Sequence, residues 1–261
     1  MTAVSVPGAP RFSVARVNPV AKLAAALLVA FTLALSVDAV SAGVALALEL
    51  LLLPLAGLPA RAFWRRTAVV WITAPLAGLT VALYGRASGA VHVHWLFVNV
   101  TDGSLQLAAV TVVRVLAIAL PAVALFATVD PTELADGLAQ LLRLPARFVL
   151  GALAAFRLLG LMRDDWRSLA LARRARGVAD RALFRRYLGL AFALFVLAIR
   201  RGSALATAME ARGFGGSTPR TWARVSRFGG RGWGLVVVGV VVAASAVTVS
   251  VATGSWAFIG R

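Results

Sequence analysis

LQLAAVTVVRVLAIALPAVALFAT (residues 105–128), followed at once by VDPTE (129–133), decides the fold class. The first stretch carries one charged residue, Arg114. About 18 to 20 apolar residues, at a rise of about 1.5 Å each, cross the hydrocarbon layer of a bilayer, so the stretch reads as a membrane span. The second is a helix start: Asp130 stands at the N-cap, Pro131 at the first helical position and Glu133 in the first turn. The chain therefore leaves the membrane and begins a new helix within a few residues. Working upstream, residues 20–37 form one apolar run. A second, 40–58, follows after only Asp38 and Ala39, which forces an antiparallel hairpin. A third, 68–84, is interrupted by Pro75 and Gly78, a kink tolerable where neighbouring helices satisfy the freed carbonyl. A polar stretch, 85–104, leads back to the run already quoted, and downstream a last run covers 233–251. Five spans result.

Composition agrees. Of 261 residues, 61% are hydrophobic and 14% charged, and the mean hydropathy of +0.87 excludes a soluble globule. The N-terminal run is too long for the apolar core of a signal peptide and lacks a small-residue cleavage site, so it reads as an uncleaved first span. With no cysteine, disulfides and thiolate metal sites are absent. A net charge of +17 fits nucleic acid, anionic lipid or an acidic protein partner, and placement has to decide among them. Arg11, Arg16, Arg61, Arg65 and Arg66 lie in short loops, so these face the cytoplasm, and the 38–39 turn and the 85–104 loop face outward. Residues from Asp130 to Arg231 then lie in the cytoplasm or at the interface, and 18 of the 27 basic residues fall between Arg143 and Arg231.

That segment has helical periodicity. A short helix runs to about Leu142. Pro145 opens a long one whose apolar positions Phe148, Ala152, Ala155, Leu159, Met162, Trp166 and Leu169 recur every three or four residues, ending at Gly177. A third carries Phe184, Leu188, Phe192, Phe195, Ile199 and Met209 on one face, with Arg185, Arg186, Arg200 and Arg201 outside it, and ends at Gly213. Its most apolar part, 188–199, is about 12 residues between paired arginines, so it reads as a helix at the membrane surface rather than a sixth span. The expectation is an all-α integral membrane protein: residues 1–128 with four spans, 129–231 as a cytoplasmic coupling domain of one short and two long amphipathic helices, and 232–261 with the fifth span.

Both long helices end alike, in Ala175-Arg176-Gly177 and Ala211-Arg212-Gly213. Gly after the last turn takes the left-handed cap, and Arg there complements the helix dipole, so one such ending explains itself as a cap. Two of them, on stiff helices of one domain, present two planar cationic forks suited to acidic sockets. Arg173 and Glu210 stand beside them as supporting residues, and Arg173 and Arg201 offer equal charge nearby as controls.

With this pair in view, the sequence resembles the transmembrane, or T, component of energy-coupling factor transporters of the cobalt and biotin type. Asn18-Pro19-Val20-Ala21-Lys22-Leu23 resembles that family's segment before span one, Asp130 to Gly177 its coupling region, and the two Ala-Arg-Gly endings its signatures. The resemblance implies a complex with two cytoplasmic ATP-binding-cassette ATPases and a small substrate-binding membrane subunit, the S component. Arg176 and Arg212 would each enter a groove on one ATPase, and closure of the ATPase pair would move the helices and topple the S component, for uptake of a vitamin or a transition-metal ion. On this reading the chain is not itself an enzyme and needs no cofactor.

Other features weigh less. Glu49 and Arg114 are charged residues inside spans; either they pair or Glu49 is protonated or near the interface. His92 and His94, with Asp102, offer at most a weak metal site and read as structural. Small residues in the spans, Ala24, Ala25, Ala26, Ala42, Gly43 and Gly78, permit close helix contacts. The basic segment carries no nucleic-acid module, and its Leu and Phe faces need burial, so lipid headgroups and protein partners explain the charge better. A stand-alone secondary transporter would ordinarily carry internal repeats and mid-membrane charges, which are weak here. A membrane enzyme would need a catalytic constellation that no residues supply, and with no phosphate-binding loop ATP hydrolysis belongs to another polypeptide.

Overall fold

Every apolar run becomes a helix, and the helix ends differ from the membrane edges in instructive ways. The computed structural model describes residues 14–36, 38–57, 60–85, 88–95, 98–177, 183–216 and 221–256. Two compact units divide it: residues 1–134 with 227–261, and residues 135–226.

In the membrane unit, α1 (Pro19–Leu35) is capped by Asn18, whose Oδ1 accepts from the Val20 N–H at 2.9 Å. The chain turns at Asp38 into α2 (Ala39–Leu52). Asp38 caps that helix, accepting from the Ser41 N–H at 2.7 Å, the Ser41 hydroxyl at 2.8 Å and the Ser250 hydroxyl at 2.6 Å. The Ser36 and Ser41 hydroxyls bond one another at 2.8 Å. The second run stops being α-helical short of its expected end, because Pro54 permits only a 3-10 turn over Leu53–Ala56. α3 (Ala60–Tyr84) starts eight residues before the expected 68, so Arg61, Arg65 and Arg66 are helical rather than in a connection. Arginine is a good helix former, and hydropathy marks the edge of the membrane, not of the helix. The polar stretch 85–104 holds an antiparallel hairpin, β1 (Val91–Trp95) and β2 (Val98–Thr101), with a bulge between Val91 and Val93. Thr101 and Ser104 then form a reciprocal capping box that starts α4 (Asp102–Phe126). α8 (Gly230–Ala252) returns to pack on α1 and α2.

Small residues make this packing close. Val29 and Leu33 of α1, Ala45 of α2, Ala117 of α4 and Val242 and Ala246 of α8 form one core, and Val70, Ala74, Leu116 and Leu120 join α3 to α4 in a second. At Gly239 an added Cβ would sit 3.1 Å from the Ala25 Cα, so the α1–α8 approach depends on the missing side chain.

α5 (Pro131–Gln140), whose first residues belong to the membrane unit and whose later ones belong to the second, is started as expected by Asp130, whose Oδ1 accepts from the Thr132 N–H at 2.7 Å. α6 (Ala146–Ala175) and α7 (Leu183–Ala211) run back along one another. Trp166 stacks on Tyr187 at 6.2 Å, and Asp165 pairs with Arg201, Oδ1 to Nη2 at 2.9 Å. The expected helix faces hold only in part: Trp166 of α6 meets α7, and Met209 of α7 lines the cleft between the two helices, while other positions of both faces turn outward. Phe148, Ala152, Ala155 and Leu159 are exposed, as are Phe184, Leu188, Phe192, Phe195 and Ile199. The side of α6 turned to α7 carries Leu150, Leu153, Leu158 and Leu161 instead. Leucine-rich α6 is apolar on two sides, and periodicity alone picked a line that faces outward from Phe148 to Leu159 and meets α7 at Trp166.

Four helices contain stretches long and apolar enough to cross a membrane by length and composition: Phe63–Tyr84, Asp102–Phe126, Arg186–Ala211 and Gly230–Ala252, with α1 and α2 as shorter apolar helices. The stretch in α7 runs unbroken through Arg200 and Arg201, so its 26 residues are not excluded from spanning by length.

Candidate functional site

The two Ala-Arg-Gly endings are both built as glycine-terminated helix caps. At the end of α7, the Gly213 N–H donates to the Glu210 carbonyl at 2.9 Å and the Phe214 N–H to the Met209 carbonyl at 3.0 Å. This is the paired bonding of a Schellman cap, with Gly213 at φ +75°. At the end of α6, the Gly177 N–H donates to the Arg174 carbonyl at 3.0 Å, with Gly177 at φ +66°. A Cβ would meet nothing within 4 Å at either glycine, so conformation and not crowding selects glycine there. Ala175, Arg176, Gly177, Glu210, Ala211, Arg212 and Gly213 are all exposed. Each arginine occupies the last position before its glycine and projects from a fixed helix end.

The two ends are far apart. Arg173, in the last turn of α6, bonds to the first turns of α7. Arg212 follows the last residue of α7, a helix of 29 residues, or about 43 Å at about 1.5 Å per residue. One small acidic pocket cannot receive both. Arg212 also lines, with Gly213 and Phe214, an open cleft of about 870 Å³ walled by Leu150, Leu153, Leu158 and Leu161 of α6 and Leu205 and Met209 of α7. Arg157 and Arg201 reach the same cleft. Its floor is apolar and its rim cationic.

The neighbouring residues behave unlike their sequence expectation. Arg173 donates to the Gly189 carbonyl at 2.8 Å and the Arg186 carbonyl at 3.5 Å, so it staples the last turn of α6 to the first turns of α7. Arg201 is committed to Asp165. Neither is a bystander of equal charge. The Asp165 partnership was hidden because nothing in a sequence pairs residues 36 apart.

Glu49 and Arg114 do not pair: both Glu49 carboxyl oxygens, and Nε and Nη2 of Arg114, lack a hydrogen-bond partner among the described residues. Glu49 sits ten residues, about 15 Å, along α2 from its start and faces a cavity of about 210 Å³ lined by Val29, Leu52, Ala124, Leu125 and Val242. Arg114 lies within electrostatic reach of Asp38, at the other end of α2. The His92 and His94 side chains fall outside the described set, and among the described residues no group of three His, Asp or Glu converges.

Residues 10–222 match the family described as "Cobalt transport protein", CbiQ. The chain belongs to that family, the T components of energy-coupling factor transporters. Proteins named energy-coupling factor transporter transmembrane protein EcfT are similar to it. That of Limosilactobacillus fermentum (strain CECT 5716 / Lc40) is 30% identical over 182 residues, 64% of this chain and 67% of the relative. That of Lacticaseibacillus paracasei (strain ATCC 334) is 32% identical over 158 residues, 56% of this chain and 60% of the relative. That of Exiguobacterium sibiricum is 29% identical over 170 residues, 60% and 65% of the respective chains. This T component is a multi-pass protein of the cell membrane and serves transport across it.

Proposed function

We propose that this T component transmits the ATP-driven motion of two cytoplasmic ABC-type ATPases to a substrate-binding S component, for uptake of a vitamin or a transition-metal ion. Ala175-Arg176-Gly177 and Ala211-Arg212-Gly213 are its two ATPase-docking ends. The observation that carries this reading is the separation of two exposed, glycine-capped arginines at opposite ends of one helical hairpin, which suits one socket on each of two ATPases. The uncovered apolar stripes of α6 and α7 suit the S component and the apolar edge of the bilayer. Within this proposal α7 lies at the membrane surface on the cytoplasmic side, because Arg186, Arg200 and Arg201 place charge along it and Arg201 is held to Asp165. Hydrolysis belongs to the partner ATPases.

The test is co-purification with the ATPases, and their Mg-ATP turnover, for Arg176→Ala, Arg212→Ala and the double variant, against exposed Arg174→Ala and Arg200→Ala as controls. Losing one member of a buried charge pair costs about 2 to 5 kcal/mol, so the motif variants should weaken assembly at least tenfold, and Arg→Lys should fail as well because a point charge lacks the fork. If the arginines only complement helix dipoles, the loss is about 0.3 to 1 kcal/mol of helix stability and assembly is intact. Equal effects at motif and control positions would reject docking at these ends.

A further inference from the structure

One turn of α1 touches both points where the chain leaves and rejoins the membrane unit around residues 135–226. Lys22 is fully buried, and its ammonium donates to the Thr128 hydroxyl at 2.8 Å and the Thr128 carbonyl at 3.3 Å, at the outgoing end of α4. The Thr128 hydroxyl in turn donates a hydrogen bond to the Leu125 carbonyl at 2.9 Å, so that group is satisfied in both senses. Four residues earlier, the Asn18 side-chain amide donates to the Arg227 carbonyl at 3.1 Å, on the segment returning to α8. Residues 128 and 227 are 99 apart in sequence, yet both are held by side chains one helical turn apart. From α3, Arg66 adds a third donor to the same carbonyl end, reaching Ala127 O at 2.6 Å. Cations there oppose the negative end of the α4 dipole. The second unit repeats the lacing by itself: the Gln140 side chain donates to the Arg224 carbonyl and accepts from the Ser226 N–H, both at 2.8 Å.

We propose that Asn18 and Lys22 are positioning residues that bind the outgoing and returning ends of the coupling segment into one joint on α1, so that both ends move as a single body when the segment is driven. The proposal deepens the coupling role above and rests on it. Lys22 suits the task because a buried ammonium that lost its Thr128 oxygens would be left short of partners, and Glu133 lies within electrostatic reach to favour its charge. Asn18 suits it because one amide caps α1 through its oxygen and holds Arg227 through its nitrogen.

The experiment uses the full chain, which has no native cysteine, with nitroxides at Phe126 and Arg227, both exposed and on either side of the joint. Electron–electron distance distributions are recorded for the chain alone and assembled with its ATPases, with and without Mg-ATP. The unaltered chain should give one narrow distribution that Mg-ATP leaves in place. Lys22→Met and Asn18→Ser, the latter still able to cap α1 but too short to reach Arg227, should at least double its width, and Mg-ATP should split or shift it. Thr128→Val, which removes the hydroxyl's bonds to Lys22 and to the Leu125 carbonyl but keeps the Lys22 bond to the Thr128 carbonyl, should give an intermediate width and serves where Lys22→Met fails to fold. Unchanged widths would overturn the joint. Broadened but nucleotide-insensitive distributions would overturn the positioning role and leave a staple for stability. Failure of the docking arginines would appear instead as normal assembly of the Arg176→Ala, Arg212→Ala double variant, while the nucleotide-free widths would still report on the joint.

Discussion

The membrane unit and the α6–α7 hairpin are held together by different means. In the first, alanines and glycines bring backbones together, Leu33 and Leu120 are about 1% exposed, and even serines and Asp38 are buried with partners. In the second, α6 has no buried residue and α7, among the described residues, has Leu190, while the helices meet through the Arg173 staple, the Asp165–Arg201 pair and the Trp166–Tyr187 stack. A unit packed by small residues keeps its shape alone. A hairpin fixed at a few polar and aromatic points leaves its apolar faces for something else to cover, which is what a moving connector between partners requires.

The sharpest way to break this comparison is to truncate leucines. Leu33→Ala or Leu120→Ala should cost the full chain about 2 to 5 kcal/mol in detergent unfolding, since closely packed neighbours cannot fill the space. Leu159→Ala or Phe192→Ala, exposed on the hairpin, should stay within about 0.5 kcal/mol in the chain without partners. Similar losses at both places would mean the hairpin has a core of its own. Glycine exchanges come next and should differ in sign. Gly239→Leu forces α1 from α8 and should destabilise by about 1 to 3 kcal/mol. Gly202→Ala, with nothing within 4 Å of the new methyl, should stabilise α7 by about 0.5 to 1 kcal/mol.

Asp165→Asn should loosen only the hairpin. The pair is partly exposed, with 17% of the Asp and 38% of the Arg side chain accessible, so its loss lies between a surface pair and a buried charged bond, about 1 to 2 kcal/mol. Amide exchange should quicken across α6 and α7 while the unfolding midpoint of the membrane unit stays put; a shift in that midpoint would contradict independent units.

The smallest effect is a pH limb. Burial alone would raise Asp38, but hydrogen bonds from Ser250, from the Ser41 backbone and hydroxyl, and from Ser36 bring it below its ordinary 3.8. Its folded-state value being the lower one, its contribution is complete above the unfolded value and is lost as the pH falls through the folded value. Stability of the membrane unit should therefore hold from neutral pH to about 4 and fall below that. In Asp38→Asn that limb should vanish, and an unchanged acid limb would exclude Asp38 as its source.

Much of this was legible in the chain. Apolar runs gave α1, α4 and α8 to within three residues and the start of α2, because lipid imposes one length scale on composition. Asp130-Pro131-Thr132-Glu133 gave the start of α5, because capping chemistry is local. Legibility failed where structure continued beyond the bilayer or depended on distant partners. Arg61 and Arg65 prolong α3 without any apolar signal, and the alternation Val91-His92-Val93-His94-Trp95 passed for loop although it has the period of a strand. The positions of Arg176 and Arg212 were readable as helix ends. The commitments of Arg173 and Arg201 were not, since a backbone carbonyl on α7 and an aspartate on α6 leave no mark beside them in sequence.

The bond from Ser250 to Asp38 also carries a consequence for biogenesis. Asp38 is synthesised 212 residues before the hydroxyl that completes its shell, and Ala25 similarly waits for Gly239. The first hairpin must therefore wait in the translocon or the bilayer, its aspartate satisfied by Ser41, while the whole α6–α7 hairpin is made. Only when α8 threads back does the membrane unit close. Ribosome-stalled nascent chains halted before residue 230 should expose a cysteine at position 25 to thiol reagents, and chains halted after full emergence of α8 should hide it.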